Sequence, residues 1–422
     1  MELALAKGVN AHIQQTKKFK TIIIEYKFRT AYQADQATAR TLLKNMMVTN
    51  TKTYTSQKLM DQHMSWLYGA SLSSSSQRYG SQHVVTLRLK LVNDKFIGGD
   101  NSLLEAAFDF MREIIFNPNV QNQTFHAETF NRERLNLKNY FESLEENKSA
   151  YARYRLNQLL FEGTDQIHLG IGNPDCLELI TEETLYQTYL NMIQQDTTDI
   201  FVSGDVDYDR IKAILQTNPF EDRQVSDSAI FIRNNEKNDV NKQEEASDVN
   251  QGKLLFGFSS NIYFGQDNHY AAMVFNGLFG GFPHSKLFQN VREKESLAYS
   301  ASSSLDNLRG KLVVSTGIDF AKREMVETIV LEQLADMQNG DFSDSLINQT
   351  KEMLINHYKQ NDDNQGQALA KIYTSELLLN RQIAEEEWIE ALMAVTKDDI
   401  ISVAKNMKLE AVFFLKGEEA DA

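Results

Sequence analysis

The sequence TEETLYQTYLNMIQQDTTDIFVSGD, from Thr181 to Asp205, returns in altered form near the C-terminus as TKDDIISVAKNMKLEAVFFLKGE, from Thr396 to Glu418. Each copy has a threonine, an acidic first turn, and a helical pattern with Asn-Met ten residues after the threonine. Each then continues into an apolar strand that ends in glycine and an acidic residue. A pattern that recurs at this scale indicates an internal duplication.

Two further pairs of segments support the duplication. YGASLSSSS from Tyr68 matches YSASSSLDN from Tyr299, and each is followed by a strand pattern, VVTLRL or LVVSTG. NYFESLEEN from Asn139 matches NHYKQNDDN from Asn356. The matched segments occur in the same order in both halves, so we expect two similar domains with Tyr68 and Tyr299 in equivalent strands.

The predicted domains are residues 1–220 and 253–422, joined by the polar and charged segment 221–252, which has the composition of a linker. Within the first half, TIIIEYKF from Thr21 has the β-branched content of a strand. SLLEAAFDFMREIIF has a helical period, and Ser102 with Glu105 forms a possible capping box. Strands mixed with helices in each half predict an α+β class, with a mainly antiparallel sheet packed against helices.

The composition excludes several classes of protein. The 422 residues are 42% hydrophobic and carry a net charge of -15, which argues against nucleic-acid binding and against attachment to anionic lipid. No apolar run approaches the length of a spanning helix, and the N-terminal residues do not resemble a signal peptide. Cys176 is the single cysteine, so a disulfide framework is excluded. We therefore expect a cytoplasmic protein without a membrane segment.

The stretch FPHSKLFQNVREKESLAYSAS, from Phe282, places Arg292 at the end of a short helix and Tyr299 at the start of a strand. A guanidinium and a phenol held in this way can converge on one ligand from two elements. A purely structural interpretation is also open, with Arg292 closing the helix and Tyr299 packed at a sheet edge.

Other catalytic patterns are weak. His168 and Cys176 could form a thiol dyad, but the simpler interpretation is a loop histidine and a half-buried cysteine before a helix. The glycine-rich segment GLFGGF, from Gly277, is not followed by the Gly-Lys-Ser/Thr of a phosphate-binding loop.

NGLFGGFPHSKLFQNVREKESLAYS, from Asn276, and HLGIGNPDCLELITEETLYQTYLNMIQQDTTDIFVSGDVD, from His168, resemble the insulinase or pitrilysin family of zinc peptidases. The resemblance covers nearly the whole chain and implies the duplicated α+β fold of that family. It also implies a His-x-x-Glu-His motif on a first-domain helix, where two histidines hold zinc and the glutamate acts as general base.

The chain departs from the family at the positions that hold zinc. The equivalent helix reads ARTLLKNMMVTNTKTYTS from Ala39, so Thr41, Lys44 and Asn45 stand at the three motif positions. On the later segment ERLNLKNYFESLEE, from Glu133, Tyr140 stands where the family has its third ligand. The resemblance therefore implies no bound metal, no cofactor and no catalytic residue in this chain.

The resemblance assigns a different role to Arg292 and Tyr299. In the family these positions bind the substrate backbone and stabilise the oxyanion of peptide hydrolysis. The implied function is the inactive subunit of a heterodimeric zinc peptidase, with zinc only in a homologous partner that bears His-x-x-Glu-His. Peptides or unfolded polypeptides would be the substrates, and a homodimer could form in isolation. The alternative is a non-proteolytic peptide-binding or scaffold protein of the same fold.

Overall fold

A computed structural model gives the structure of residues 1–98, 102–224, 229–233, 239–294 and 298–417, without the side chains of 292–294. Its helices are α1 (Ala34–Thr49), α2 (Gln57–Trp66), α3 (Leu103–Phe116), α4 (Ala127–Glu146), α5 (Lys148–Leu160), α6 (Glu182–Gln195), α7 (Tyr208–Leu215), α8 (His269–Asn276), α9 (Arg323–Asn339), α10 (Asp344–Asp362), α11 (Gln365–Leu379), α12 (Glu385–Ala394) and α13 (Lys397–Asn406).

The strands are β1 (Glu2–Ala6), β2 (Val9–Gln15), β3 (Thr21–Ala31), β4 (Ser71–Tyr79), β5 (Gln82–Val92), β6 (Val120–Gln121), β7 (Thr124–Phe125), β8 (Thr197–Gly204), β9 (Asn241–Ser247), β10 (Gly252–Ser259), β11 (Ala298–Asp306), β12 (Lys311–Ile318) and β13 (Lys408–Gly417). Short π-helical turns cover Gly277–Gly281 and Phe288–Lys294. The mixture of helices with mainly antiparallel sheets confirms the predicted α+β class. No helix in the described ranges is both long and apolar enough to cross a membrane.

The chain forms two compact units, residues 1–142 with 168–229 and residues 143–167 with 230–422. The main sheet of the first unit has the order β1-β2-β8-β3-β5-β4, and that of the second has the order β11-β12-β10-β13-β9. In the first, β3 is antiparallel to both β5 and β8, and β2 is parallel to β8. In the second, β10 is antiparallel to both β12 and β13, and β9 is parallel to β13. With β1 of the first sheet left aside, the two sheets thus share one five-stranded topology, as the repeated segments predict.

The repeated threonines have the same local role. Thr181 caps α6 and Thr396 caps α13, and each exchanges hydrogen bonds with the residue three positions later in a capping box. Each helix then leads into the strand of its sheet that pairs with the unit's central strand, β8 with β3 and β13 with β10. The repeated sequence therefore corresponds to a repeated helix–strand unit.

Two local predictions are wrong. Tyr68 does not lie in a strand equivalent to that of Tyr299; it lies in a turn, with a φ of 57°, three residues before β4 begins. Ser102 makes no capping hydrogen bond to the start of α3. Glu105 instead accepts hydrogen bonds from the Arg210 guanidinium at 2.6 and 2.8 Å, because a charge-assisted bidentate contact competes with the cap.

The division of the chain differs from the predicted ranges 1–220, 221–252 and 253–422. The segment 143–167, which lies in the middle of the first half, is part of the second unit. Its helix α5 packs Leu156 and Leu160 against Leu255 and Phe413 on one face of the second sheet. Gly257 makes this approach possible, because a Cβ there would lie 2.6 Å from Leu160 Cδ2. The predicted linker also contains β9, whose parallel pairing with β13 extends the second sheet.

Candidate functional site

The helix α1 carries the three positions that the family resemblance matches to a zinc motif, and Thr41 lies there in a hydrogen-bond network. Thr41 is 3% exposed. Its Oγ1 lies 2.8 Å from Ser76 Oγ and donates to the carbonyl oxygen of Ile171 at 2.9 Å. Because the hydroxyl already bonds to protein groups on both sides, it is not available as a metal ligand.

Lys44 and Asn45 bond to each other on the next turn of α1. Lys44 Nζ donates to Asn45 Oδ1 at 2.6 Å. Burial lowers the pKa of the Lys44 ammonium, and the negative charge of Glu133 opposes that shift. The resemblance thus matches an ammonium to the position of the general-base carboxylate of a zinc peptidase, and an ammonium cannot accept a proton from water.

The helix α4 contributes Glu133 and, two turns later, Tyr140. The Glu133 carboxylate accepts hydrogen bonds from Arg132 Nε at 3.0 Å and Asn136 Nδ2 at 3.2 Å. The Tyr140 side chain is 51% exposed. No group of three or more histidine, cysteine, aspartate or glutamate residues in the described ranges is placed to hold a metal ion. The donors at the motif positions therefore do not fit zinc, which requires thiolate, imidazole or carboxylate ligands.

We expect the purified, tag-free chain to contain no stoichiometric zinc, because a hydroxyl, an ammonium and an amide replace the ligands and base on α1. Inductively coupled plasma mass spectrometry after dialysis against zinc and then buffer measures the metal content directly. One tightly held zinc ion per chain would contradict this interpretation of Thr41, Lys44 and Asn45.

Tyr299 lies in an irregularity at the start of β11, at the edge of the second sheet. Ala298 pairs with Ile318 and Ser300 with Gly317, so Tyr299 is the additional residue of a bulge. Its side chain is 71% exposed and makes no hydrogen bond within the described residues. Bulges re-aim side chains and are frequent beside functional sites. The bulge therefore directs the phenol into solvent, and the side chain does not pack on the sheet.

Arg292 lies in the π-helical segment Phe288–Lys294, but its side chain lies outside the described part of the structure. The backbone of that segment is well anchored. Leu287 and Val291 are fully buried in the core of the second unit. Lys286 forms an ion pair with Asp336 on α9 at 2.8 Å. Arg292 thus directly follows Val291, whose buried side chain fixes the segment to the core.

The glycine-rich segment Gly277–Gly281 has a packing role. A Cβ at Gly280 would lie 2.6 Å from Ser303 Oγ and 2.7 Å from its backbone nitrogen, so only glycine permits this turn to lie against β11. Ser303 Oγ donates to Asn276 Oδ1 at 2.8 Å across the same contact. The glycines therefore seat the turn on the strand that bears Tyr299.

Cys176 does not have the environment of a nucleophile. It lies in the short 3₁₀-helix Pro174–Leu179. Burial together with the charges of Asp35 and Asp175 raises the pKa of its thiol, which reduces the thiolate fraction at neutral pH. The weak dyad pattern of His168 and Cys176 is thus not supported by the electrostatics.

Comparison with known proteins matches a family model to part of the chain and a relative to nearly all of it. Residues 179–354 match the family described as "Peptidase M16 inactive domain". The chain is 34% identical over 417 residues to the "Probable inactive metalloprotease YmfF" of Bacillus subtilis, covering 98% of this chain and 96% of that protein.

Solved structures show the same fold. A conserved protein from Enterococcus faecalis V583 superposes with a TM-score of 0.95 at 40% identity, covering 100% of this chain and 99% of that one. A protease from Helicobacter pylori superposes with a TM-score of 0.81 at 14% identity, with 99% of both chains covered. The fold is thus shared with a protein described as a protease, although the side chains of Thr41, Lys44 and Asn45 do not fit zinc.

Proposed function

The chain belongs to the peptidase M16 family, as a homologue of its inactive metalloproteases, and we propose that it is the non-catalytic subunit of a two-chain zinc peptidase. The observation that carries this proposal is the exposed phenol of Tyr299 in its edge-strand bulge. On α1 of the same chain, Thr41 bonds to Ile171, and Lys44 bonds to Asn45. A bulge that holds a polar side chain out in solvent suits contact with a substrate or a partner better than packing within this chain.

The proposed chemistry is transition-state stabilisation in trans. Peptide hydrolysis develops negative charge on the carbonyl oxygen, and fixed donors aimed at that oxygen lower the barrier. The phenol of Tyr299 is one such donor. The guanidinium of Arg292 is the second, by its match to the family position, and its fork of N–H groups suits an oxyanion or a substrate carbonyl.

The proposed partner is a homologous chain with an intact His-x-x-Glu-His motif, and the proposed substrates are peptides or unfolded segments. The partner would supply the zinc, the activated water and the general base. The net charge of -15 favours basic peptides among possible substrates, because like charges repel acidic ones.

We expect this chain to form a one-to-one complex with the zinc-bearing homologue of the same organism and to increase its peptidase activity. Analytical ultracentrifugation of an equimolar mixture measures the complex, and cleavage of a quenched basic peptide measures the activity. Each chain alone is the control. If the two chains sediment separately and the homologue cleaves equally well alone, the subunit proposal fails and the peptide-binding scaffold replaces it.

A further inference from the structure

A polar cavity of about 680 Å³ lies at one end of the first sheet, among residues of the first unit only. Three neighbouring strands terminate there, with Arg29 near the end of β3 opposite Thr197 at the start of β8, and Gln82 at the start of β5. The end of α6 adds Gln195, and the segment after α7 adds Asp222 and Arg223. The lining thus consists largely of amide and guanidinium groups.

The two arginines that line this cavity differ in the number of hydrogen bonds that their guanidinium groups donate. Arg223 is 5% exposed. Its Nη1 donates to the carbonyl oxygen of Asp196 at 2.7 Å and to Thr198 Oγ1 at 2.8 Å. Its Nε donates to the carbonyl oxygen of Glu221 at 3.3 Å. Arg223 therefore serves to hold the wall of the cavity in place.

Arg29 has no comparable set of partners. Its Nη1 makes one long contact, of 3.5 Å, with Gln82 Oε1. Its Nε is buried and has no hydrogen-bond partner within the described residues. A buried guanidinium N–H that lacks an acceptor is costly, because desolvation is not compensated by a hydrogen bond. An acceptor that enters the cavity would remove this cost.

The charge at the cavity is also unbalanced. Behind its wall, Arg40 forms an ion pair with Asp196 at 2.6 Å, and Arg223 and Arg29 act on the same carboxylate. On the lining itself, the acidic group among the described residues is Asp222, and its Oδ1 accepts the backbone N–H of Lys7 at 2.7 Å. Among these described groups, three guanidinium groups accompany two carboxylates, which leaves one positive charge in a chain whose net charge is -15. One carboxylate neutralises this excess, whereas a phosphate dianion exceeds it.

We propose that this cavity binds the C-terminal carboxylate of a short peptide, with Arg29 as the group that receives it. The guanidinium offers the donors that a carboxylate accepts in a bidentate contact. The glutamine side chains each carry a donor and an acceptor, which match the N–H and C=O groups of peptide bonds. The volume of about 680 Å³ accommodates a peptide of a few residues. This assignment does not depend on the role of Tyr299 or on a partner subunit.

The experiment is isothermal titration calorimetry on the full chain at low ionic strength, with N-acetyl-trialanine as the probe. The free acid is expected to bind, and the C-terminally amidated peptide and inorganic phosphate are expected to bind at least about tenfold more weakly. Arg29→Gln should weaken binding of the free acid by roughly 10- to 100-fold, the scale of a lost charge-assisted hydrogen bond. Arg112→Gln is the matched control, because Arg112 lies outside the cavity and already bonds to Asp109 and Thr217.

Each other outcome overturns the proposal. If the free acid does not bind, or binds no better than its amide, the cavity is not a carboxylate site. If Arg29→Gln binds the free acid as well as the unmodified chain does, Arg29 is not the receiving group. Loss of thermal stability in Arg29→Gln without any peptide binding would show that Arg29 only neutralises Asp196.

Discussion

Replacing Tyr299 with phenylalanine, or Arg292 with alanine, is expected to slow peptide cleavage by the assembled two-chain enzyme by roughly 100- to 1,000-fold, the usual effect of losing one preorganised oxyanion donor. Tyr299→Phe removes only the phenolic hydroxyl. The side chain is 71% exposed and forms no part of a core, so the fold should be retained. The loss should therefore appear in turnover and not in assembly.

Steady-state kinetics on the co-purified complex provides the measurement. A fall in kcat indicates loss of oxyanion stabilisation, whereas a rise in KM indicates loss of contacts to the substrate backbone. Tyr68→Phe is the matched control, because Tyr68 is an exposed tyrosine in the sequence segment that echoes the one around Tyr299. The melting temperature of each variant tests folding. Wild-type cleavage rates in both the Tyr299 and Arg292 variants would exclude a shared site.

Replacing Arg40 with methionine is expected to lower the free energy of unfolding of the first unit by about 3–5 kcal/mol, the scale for breaking a buried ion pair from one side. Arg40 is 3% exposed and lies on α1 directly before Thr41. Its Nη1 lies 2.6 Å from Asp196 Oδ2, its Nε donates to His83 Nδ1 at 3.0 Å, and its Nη2 donates to the Phe28 carbonyl at 2.9 Å. Methionine fills much of the volume but satisfies none of these groups.

The electrostatics explains the size of this effect. Burial raises the pKa of Asp196 even though Arg40, Arg223 and Arg29 all favour its ionised form. Burial also lowers the pKa of His83 well below its ordinary value, and Arg40 and Arg78 add to that shift, so the neutral ring can accept the hydrogen bond from Arg40. Without Arg40, a buried carboxylate loses its closest counter-charge, and a buried imidazole nitrogen loses its donor.

Urea unfolding followed by circular dichroism measures the change. The double variant Arg40→Met, Asp196→Asn should recover part of the lost stability, because it removes the uncompensated charge as well. Arg381→Met is the surface control and should leave the transition midpoint unchanged, since the pair of Arg381 with Glu387 is exposed to solvent. An Arg40→Met chain that unfolds at the wild-type midpoint would contradict the assigned role of Arg40.

The sequence alone was sufficient to predict the features that depend on residues close together along the chain. The capping threonines Thr181 and Thr396 and the strands that follow them revealed the duplication, because helix caps and strand periods are set within a few residues. The residue types at Thr41, Lys44 and Asn45 likewise predict that no zinc binds there, because a hydroxyl, an ammonium and an amide are not the ligands that zinc prefers.

Only the tertiary structure decided which distant segments meet. The sequence of α5 predicts a helix with an apolar face, but it does not predict that this face packs on the second sheet. Any apolar surface of the chain could cover such a face equally well. The charged positions Glu25, Lys27 and Arg29 alternate along β3, and Glu25 pairs with Lys27 on the same strand, but β5 supplies the further partners Arg88, Thr86 and Gln82. The unsatisfied guanidinium of Arg29 and the ion pair between Arg40 and Asp196 therefore became visible only in the folded chain, because long-range packing determines desolvation and charge pairing.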